Sequence, residues 1–62
     1  MGHFGVRIYL QSDGETVQVI QTELSKDTPE YVPILASIKF AKINDTATIG
    51  ELVKNALTER VR

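Results

Sequence analysis

The sequence contains no cysteine and only one histidine, His3, among its 62 residues. The lack of cysteine excludes disulfide bonds and thiolate metal sites, and one imidazole cannot form a histidine cluster around a metal. A domain of this length buries only about 60% of the surface that its unfolded chain exposes, so it is marginally stable alone. Because disulfides and metals are excluded, oligomerisation is the remaining source of stability. We therefore expect a homodimer without a cofactor.

Long apolar runs are also absent from the chain. No segment approaches the roughly 20 consecutive apolar residues of a membrane-spanning helix. Asp13, Gly14 and Glu15 interrupt the N-terminal region early, which does not fit a signal peptide. The hydrophobic fraction of 42% and the charged fraction of 24% are typical of a globular chain. We expect a cytoplasmic protein without membrane contact, in which residues 1–62 form one domain.

No arrangement of residues in the sequence predicts catalysis. General acid–base and nucleophilic mechanisms need a tuned base beside a reactive group, whereas His3 lies close to the N-terminus. The carboxylates are scattered over polar segments, and the 4 glycines do not form a phosphate-binding loop. The net charge of −1 gives no overall signal for nucleic-acid binding. We expect a non-enzymatic protein-interaction or regulatory module that acts as a homodimer.

The N-terminal part of the chain predicts a β-hairpin. Residues 4–10 alternate between apolar and other side chains, which places every second side chain on one face of a strand. The sequence Ser-Asp-Gly-Glu at residues 12–15 predicts a turn, and residues 16–24 predict a second strand rich in Val, Ile and Thr. Val19 and Ile20 are adjacent, so this strand either carries apolar side chains on both faces or contains a bulge.

Residues 30–43 fit two different elements. A helix would place one apolar set on a single face: Tyr31, Ile34, Leu35, Ile38 and Ala41. A strand would place a different apolar set on one face: Val32, Ile34, Ala36, Ile38 and Phe40. The strand must tolerate Pro33, which cannot donate to a ladder of hydrogen bonds. We favour the helix, because capping residues and Pro29 precede the segment and because Leu35 fits only the helical stripe.

The C-terminal segment predicts an amphipathic helix. Thr48 is followed three residues later by Glu51, which is the spacing of a capping box at a helix start. Apolar residues then recur at helical spacing and predict a core or dimer interface: Ile49, Leu52, Val53, Ala56 and Leu57. The predicted fold is α+β with the element order β-β-α-α. If residues 30–43 are extended, the order becomes β-β-β-α and the final helix packs on one face of a three-stranded sheet.

The start of the last helix also carries a family resemblance. The sequence Thr48-Ile49-Gly50-Glu51-Leu52-Val53 is followed by Ala56-Leu57. This run resembles the second helix of ribbon-helix-helix DNA-binding proteins, which opens with a hydroxyl residue, an apolar residue and a Glu-Leu pair. A first helix and a short polar loop precede that helix in the family. The resemblance covers residues 29–61, about half of the chain.

The resemblance implies a dimeric DNA-binding transcriptional regulator as the alternative function. Two chains would pair one strand each into a ribbon that enters the major groove, while the start of the second helix holds a phosphate. The phosphate contact would fall on Thr46, Ala47 and Thr48. With the second strand as the ribbon, Gln18, Gln21 and Thr22 would contact base edges. With the first strand as the ribbon, Arg7 and Tyr9 would point outward.

Overall fold

The computed structural model describes residues 3–61 and shows an antiparallel β-sheet followed by one α-helix. The strands are β1 (Phe4–Leu10), β2 (Thr16–Leu24), β3 (Tyr31–Pro33) and β4 (Lys39–Lys42). One turn of 3-10 helix covers Leu35–Ser37, and helix α1 covers Thr46–Thr58. The predicted α+β class, the N-terminal hairpin and the C-terminal helix are confirmed.

The turn between β1 and β2 is held by the side chain of Asp13. Its Oδ1 accepts the backbone N–H groups of Glu15 and Thr16 at 2.8 and 2.9 Å, and its Oδ2 accepts the Thr16 hydroxyl at 2.7 Å. These bonds, led by the Glu15 N–H, hold the pKa of Asp13 below its ordinary value. Gly14 has a φ of 70°, a left-handed conformation that glycine adopts without steric cost.

Strands β3 and β4 lie one after the other along the same edge of β2. Thr22 pairs with Pro33, and further along β2 Val19 pairs with Lys39. Between them the chain leaves the edge in the 3-10 turn, which stays attached to β2 at Gln21. The Gln21 N–H donates to Ser37 Oγ at 2.9 Å, and the Gln21 carbonyl accepts the Ile34 N–H at 2.8 Å.

The helix that we favoured for residues 30–43 is wrong. The segment is an interrupted strand, close to the extended alternative, and β2 supplies the long-range partners that its backbone groups need. Pro33 ends β3 at the outer edge of the sheet, where a missing N–H is tolerated. Leu35, which fitted only the helical stripe, lies in the 3-10 turn and is 73% exposed.

Helix α1 begins earlier than the predicted capping box. Asp45 is the N-cap, and its carboxylate accepts the Thr48 N–H at 3.2 Å and the Thr48 hydroxyl at 2.7 Å. Thr48 therefore lies inside the first turn and the box with Glu51 is not formed at the helix start. The Thr48 hydroxyl, followed by its N–H, holds the pKa of Asp45 below its ordinary value.

The two faces of the sheet differ in what lies on them. Helix α1 packs on the face that carries the odd-numbered residues of β2, because Gln21 bonds to Ala56 and Arg60 forms an ion pair with Glu23 at 2.6 Å. We call this the helix face; its buried apolar residues are Val17, Val19 and Ala41 of the sheet and Ala56 of α1. The open face is opposite and carries the even-numbered residues of β2: Thr16, Gln18, Ile20, Thr22 and Leu24.

The adjacent residues Val19 and Ile20 of β2 are both buried, at 2% and 3% exposure. Their side chains point to opposite faces, and the pairing of β2 with β1 runs without a bulge from Val17 to Glu23. The first of the two interpretations, apolar side chains on both faces of β2, is therefore the observed one.

Candidate functional site

Four of the predicted DNA-contacting residues lie together on the open face. Tyr9 is directly opposite Gln18, and Arg7 is directly opposite Ile20. Arg7 Nη2 reaches over β2 and donates to the carbonyl oxygen of Tyr31 at 3.1 Å. Thr22 is on the same face but only 2% exposed. Arg7, Tyr9 and the half-buried Gln18 are therefore the members of this group that solvent reaches.

Gln21 is the remaining predicted DNA-contacting residue of the two ribbon strands. It lies on the helix face and is 1% exposed. Its Nε2 donates to the carbonyl oxygens of Ala56 at 2.7 Å and Glu59 at 2.6 Å, and its Oε1 accepts the Val61 N–H at 3.0 Å. The amide thus satisfies backbone groups where α1 ends, which otherwise lack partners within the helix. In this fold Gln21 does not present its amide to a ligand, since burial and three hydrogen bonds occupy it.

Thr46 and Thr48 lie in the first turn of α1, away from the open face. Both are exposed, and the Thr48 hydroxyl and N–H bond to the Asp45 carboxylate. An aspartate with an ordinary pKa is ionised at neutral pH, and the Thr48 hydroxyl and N–H hold the pKa of Asp45 lower still. A negative charge already stands at this helix start, so a phosphate approaching Thr48 would meet electrostatic repulsion.

The predicted core or dimer residues of α1 are buried to different degrees. Ala56 is 2% exposed, whereas Leu57 is 51% exposed. Ile49, Leu52 and Val53 are half-buried. Part of the apolar stripe therefore remains available for contact with another molecule.

The exposed part of the stripe lies beside strand β1. Leu52 and Asn55 line a cavity with Val19 and Lys39, so this flank of α1 is turned towards β4. Helical geometry places Val53 and Leu57 on the other flank, towards β1. On β1 the neighbouring helix-face residues Ile8 and Leu10 are 50% and 59% exposed. We call the group Ile8, Leu10, Val53 and Leu57 the apolar flank.

The backbone of β1 has a free edge next to the apolar flank. Hydrogen-bonded pairs with β2 lie just beyond both ends of β1: Leu24 N–H donates to His3 at 3.3 Å, and Gln11 N–H donates to Thr16 at 2.8 Å. Hydrogen-bonded and non-hydrogen-bonded pairs alternate in an antiparallel ladder, so the odd-numbered residues of β1 bond to β2. The N–H and C=O groups that point outward belong to Phe4, Val6, Ile8 and Leu10.

The free edge lacks two of the usual protections against pairing, which are proline and bulges. Natural edge strands are shielded by proline, by bulges or by charged side chains. β1 spans seven residues without proline, and its pairing with β2 is regular throughout. Its single charged residue, Arg7, extends inward over β2 to Tyr31.

An open depression of about 500 Å³ is lined by Glu15, Lys42, Ile43 and Asn44. The cavity between α1 and β2 has a volume of about 80 Å³, whereas small-molecule pockets usually measure 300–1,000 Å³. Residues 3–61 contain no group of three or more potential metal ligands. Within the same residues, no helix is long and apolar enough to cross a membrane.

Comparison with known proteins adds no relative. No protein-family model, curated protein or solved structure matches this chain.

Proposed function

We propose that this protein is a non-enzymatic interaction module in which two copies associate through their β1 strands. The observation that carries the proposal is the free edge of β1, with four residues whose backbone groups point outward, beside the exposed apolar flank. Backbone groups at a free edge form hydrogen bonds with an added strand, and apolar side chains beside it add buried area. An antiparallel pair of β1 strands would join two sheets into one.

The register with full overlap places Arg7 at the two-fold axis. In that register Ile8 lies opposite Val6 of the second copy, and Leu10 lies opposite Phe4 of the second copy. The outward residues then form about eight hydrogen bonds between the chains. The two α1 helices lie on the same side of the joined sheet, so both apolar flanks come next to the junction. The half-exposed Ile8 and Leu10 side chains lose solvent contact there.

Substitution at Ile8 tests the proposal, because this residue has an outward N–H that makes no bond to β2. In Ile8→Pro the outward donor is lost while the ladder to β2 is kept, and we expect a monomer by analytical ultracentrifugation. In the matched variant Ile8→Ala the N–H remains and only apolar contact is lost. We therefore expect this variant to dimerise more weakly, so that its dimer forms only at a higher protein concentration. Circular dichroism of both variants checks that the hairpin is intact.

Two results would overturn the proposal. One is a wild-type protein that is folded and monomeric from micromolar to millimolar concentration. The other is a folded Ile8→Pro variant that dimerises as strongly as the wild type.

DNA binding in the ribbon-helix-helix manner stays a prediction. Edge pairing is the better supported function, because residues 3–61 contain one α-helix where the resemblance implies two. In addition, β2 already has neighbouring strands on both sides, and α1 packs against one face of β1.

A further inference from the structure

Three aromatic rings stand on the open face, each from a different strand. Tyr9 of β1, Tyr31 of β3 and Phe40 of β4 are 46%, 43% and 58% exposed. Tyr9 and Phe40 both lie opposite Gln18, one on each side of β2. Two strand spacings separate them, which is about 10 Å. The rings are therefore separate platforms and do not form one continuous apolar patch.

Charge on the open face has one sign. The chain has 8 acidic and 7 basic residues, yet none of the acidic residues projects from a strand onto this face. Glu23, the acidic residue within the strands, points to the helix face and pairs with Arg60. The charged side chains of the open face are Lys42, at the hairpin-turn end of the row of rings, and Arg7, between the level of Tyr9 and Phe40 and the level of Tyr31. The face is thus suited to an anionic ligand, although the chain as a whole is slightly negative.

Hydrogen-bonding groups lie between the rings. Gln18 is half-buried between Tyr9 and Phe40, and its side-chain amide has no hydrogen-bond partner within residues 3–61. Arg7 uses one N–H for the Tyr31 carbonyl and has further donors in its guanidinium group. At the far end Lys42 lies opposite Thr16, next to the hairpin turn that carries Asp13. That acidic turn bounds the open face on this side.

We infer that the open face binds single-stranded nucleic acid, with bases stacked on Tyr9 and Phe40 and phosphates near Arg7 and Lys42. Separate rings with a free amide between them match bases, which offer a π-face and hydrogen-bonding edges. A duplex fits poorly, because the major groove is about 12 Å wide and admits a helix or a two-stranded ribbon. The open face is three strands wide and is backed by α1. The inference does not depend on the pairing of β1 edges, since one chain holds the whole face.

Fluorescence anisotropy with a labelled oligothymidylate of about ten nucleotides tests the inference. We expect binding at low salt, with a slope of about −1.4 for log K against log salt per chain if two phosphates are neutralised. Phe40→Leu keeps an apolar side chain of similar reach but has no ring, and we expect it to weaken binding about 5- to 100-fold. Phe40→Tyr keeps the ring and is expected to retain binding. Lys42→Gln is expected to reduce the slope by about 0.7.

The matched control for Lys42→Gln is Lys54→Gln, which removes an exposed charge from α1 on the other side of the sheet and should leave the affinity and the salt slope unchanged. Amide NMR shifts on oligonucleotide addition should change at Tyr9, Gln18 and Phe40. The inference is overturned if no single strand binds at about 50 mM salt, or if duplex binds more tightly than single strand. It is also overturned if Phe40→Leu binds like the wild type, or if protein dilution alone shifts Phe40 of β4, which lies across β2 from the β1 edge and would then be covered by a second copy.

Discussion

The helix face and the open face of this sheet both bury side chains of β2, but they do so by different means. On the helix face, Val17 and Val19 are covered by the separate element α1. On the open face, Ile20 and Thr22 are as well buried although α1 lies on the other side of the sheet. There the side chain of Arg7 crosses β2 from one edge to reach the Tyr31 carbonyl at the other. A long side chain can cover apolar surface with its stem while its charged head stays in water.

The close fit around Thr22 depends on the lack of a side chain at Gly5. A Cβ atom added there would lie 2.6 Å from Thr22 Oγ1 and 3.3 Å from Tyr31 Cδ2. The Tyr31 ring therefore lies low over the sheet beside Gly5. The helix face therefore depends on a second layer, α1, and on polar bonds to it, whereas the open face depends on close packing within a single layer.

The largest effect on the free energy of unfolding is expected for a substitution of Gln21 on the helix face. Gln21→Leu removes three hydrogen bonds and leaves the Ala56 and Glu59 carbonyls and the Val61 N–H without this partner. Each buried polar group left unsatisfied costs about 1–3 kcal/mol, so we expect a loss of roughly 2–5 kcal/mol in the free energy of unfolding, measured with urea. The control on the open face, Gln18→Leu, should change stability by less than about 0.5 kcal/mol. Equal losses in the two variants would contradict the assigned role of Gln21.

A smaller effect is expected on the open face at Gly5. Gly5→Ala forces Thr22 or Tyr31 to shift, and we expect a loss of about 1–3 kcal/mol in thermal or urea unfolding. Gly50→Ala is the matched control, because a Cβ at Gly50 in α1 meets no atom within 4 Å. That variant should gain about 0.5–1 kcal/mol from higher helix propensity. In the double variant Gly5→Ala with Thr22→Ala, part of the loss should be recovered, and strict additivity would argue against the clash.

The smallest effect concerns two exposed carboxylates that belong to neither face. Hydrogen bonds lower the pKa values of Asp13 and Asp45 in the folded state. The unfolded chain therefore binds protons at higher pH, so the stabilisation is complete above about pH 4 and is lost as the pH falls through the lower folded values. We expect the melting temperature of Asp13→Asn and Asp45→Asn to depend less on pH than that of the wild type in this acidic range. Parallel pH profiles for the three proteins would contradict this assignment.

The elements that could be predicted from the sequence are those specified by neighbouring residues. Strict alternation in β1, the Asp13-Gly14 turn and the helical stripe of α1 are local patterns, and all three elements form where they were expected. The start of α1 was misplaced by three residues because both Asp45 and Thr48 are good capping residues. The choice between them follows from where β4 ends, which local sequence does not specify.

Residues 30–43 could not be assigned because Ile34 and Ile38 belong to both the helical and the extended pattern. The outcome depends on the edge of β2, which lies far away in sequence and offers partners at Thr22 and Val19. The role of Gln21 is hidden for the same reason, since a glutamine between Ile20 and Thr22 gives no sign of the helix that comes 25 residues later. On the open face, by contrast, Arg7, Tyr9 and Gln18 came together because strand alternation and hairpin pairing are enough to align them.

The bonds of Gln21 have a consequence for the order in which the chain can fold during synthesis. The hydrogen-bond partners of its side chain are Ala56, Glu59 and Val61, which lie 35 to 40 residues further along the chain. A nascent chain can form the β1–β2 hairpin early, but the amide at the centre of the sheet acquires its partners only after residue 61 has left the ribosome. Contacts of such long sequence separation slow folding, because loop closure must precede the bonds that reward it. Until β3 and β4 pair with β2, that edge of the hairpin is open to other strands, and until α1 packs on the sheet the helix face is uncovered.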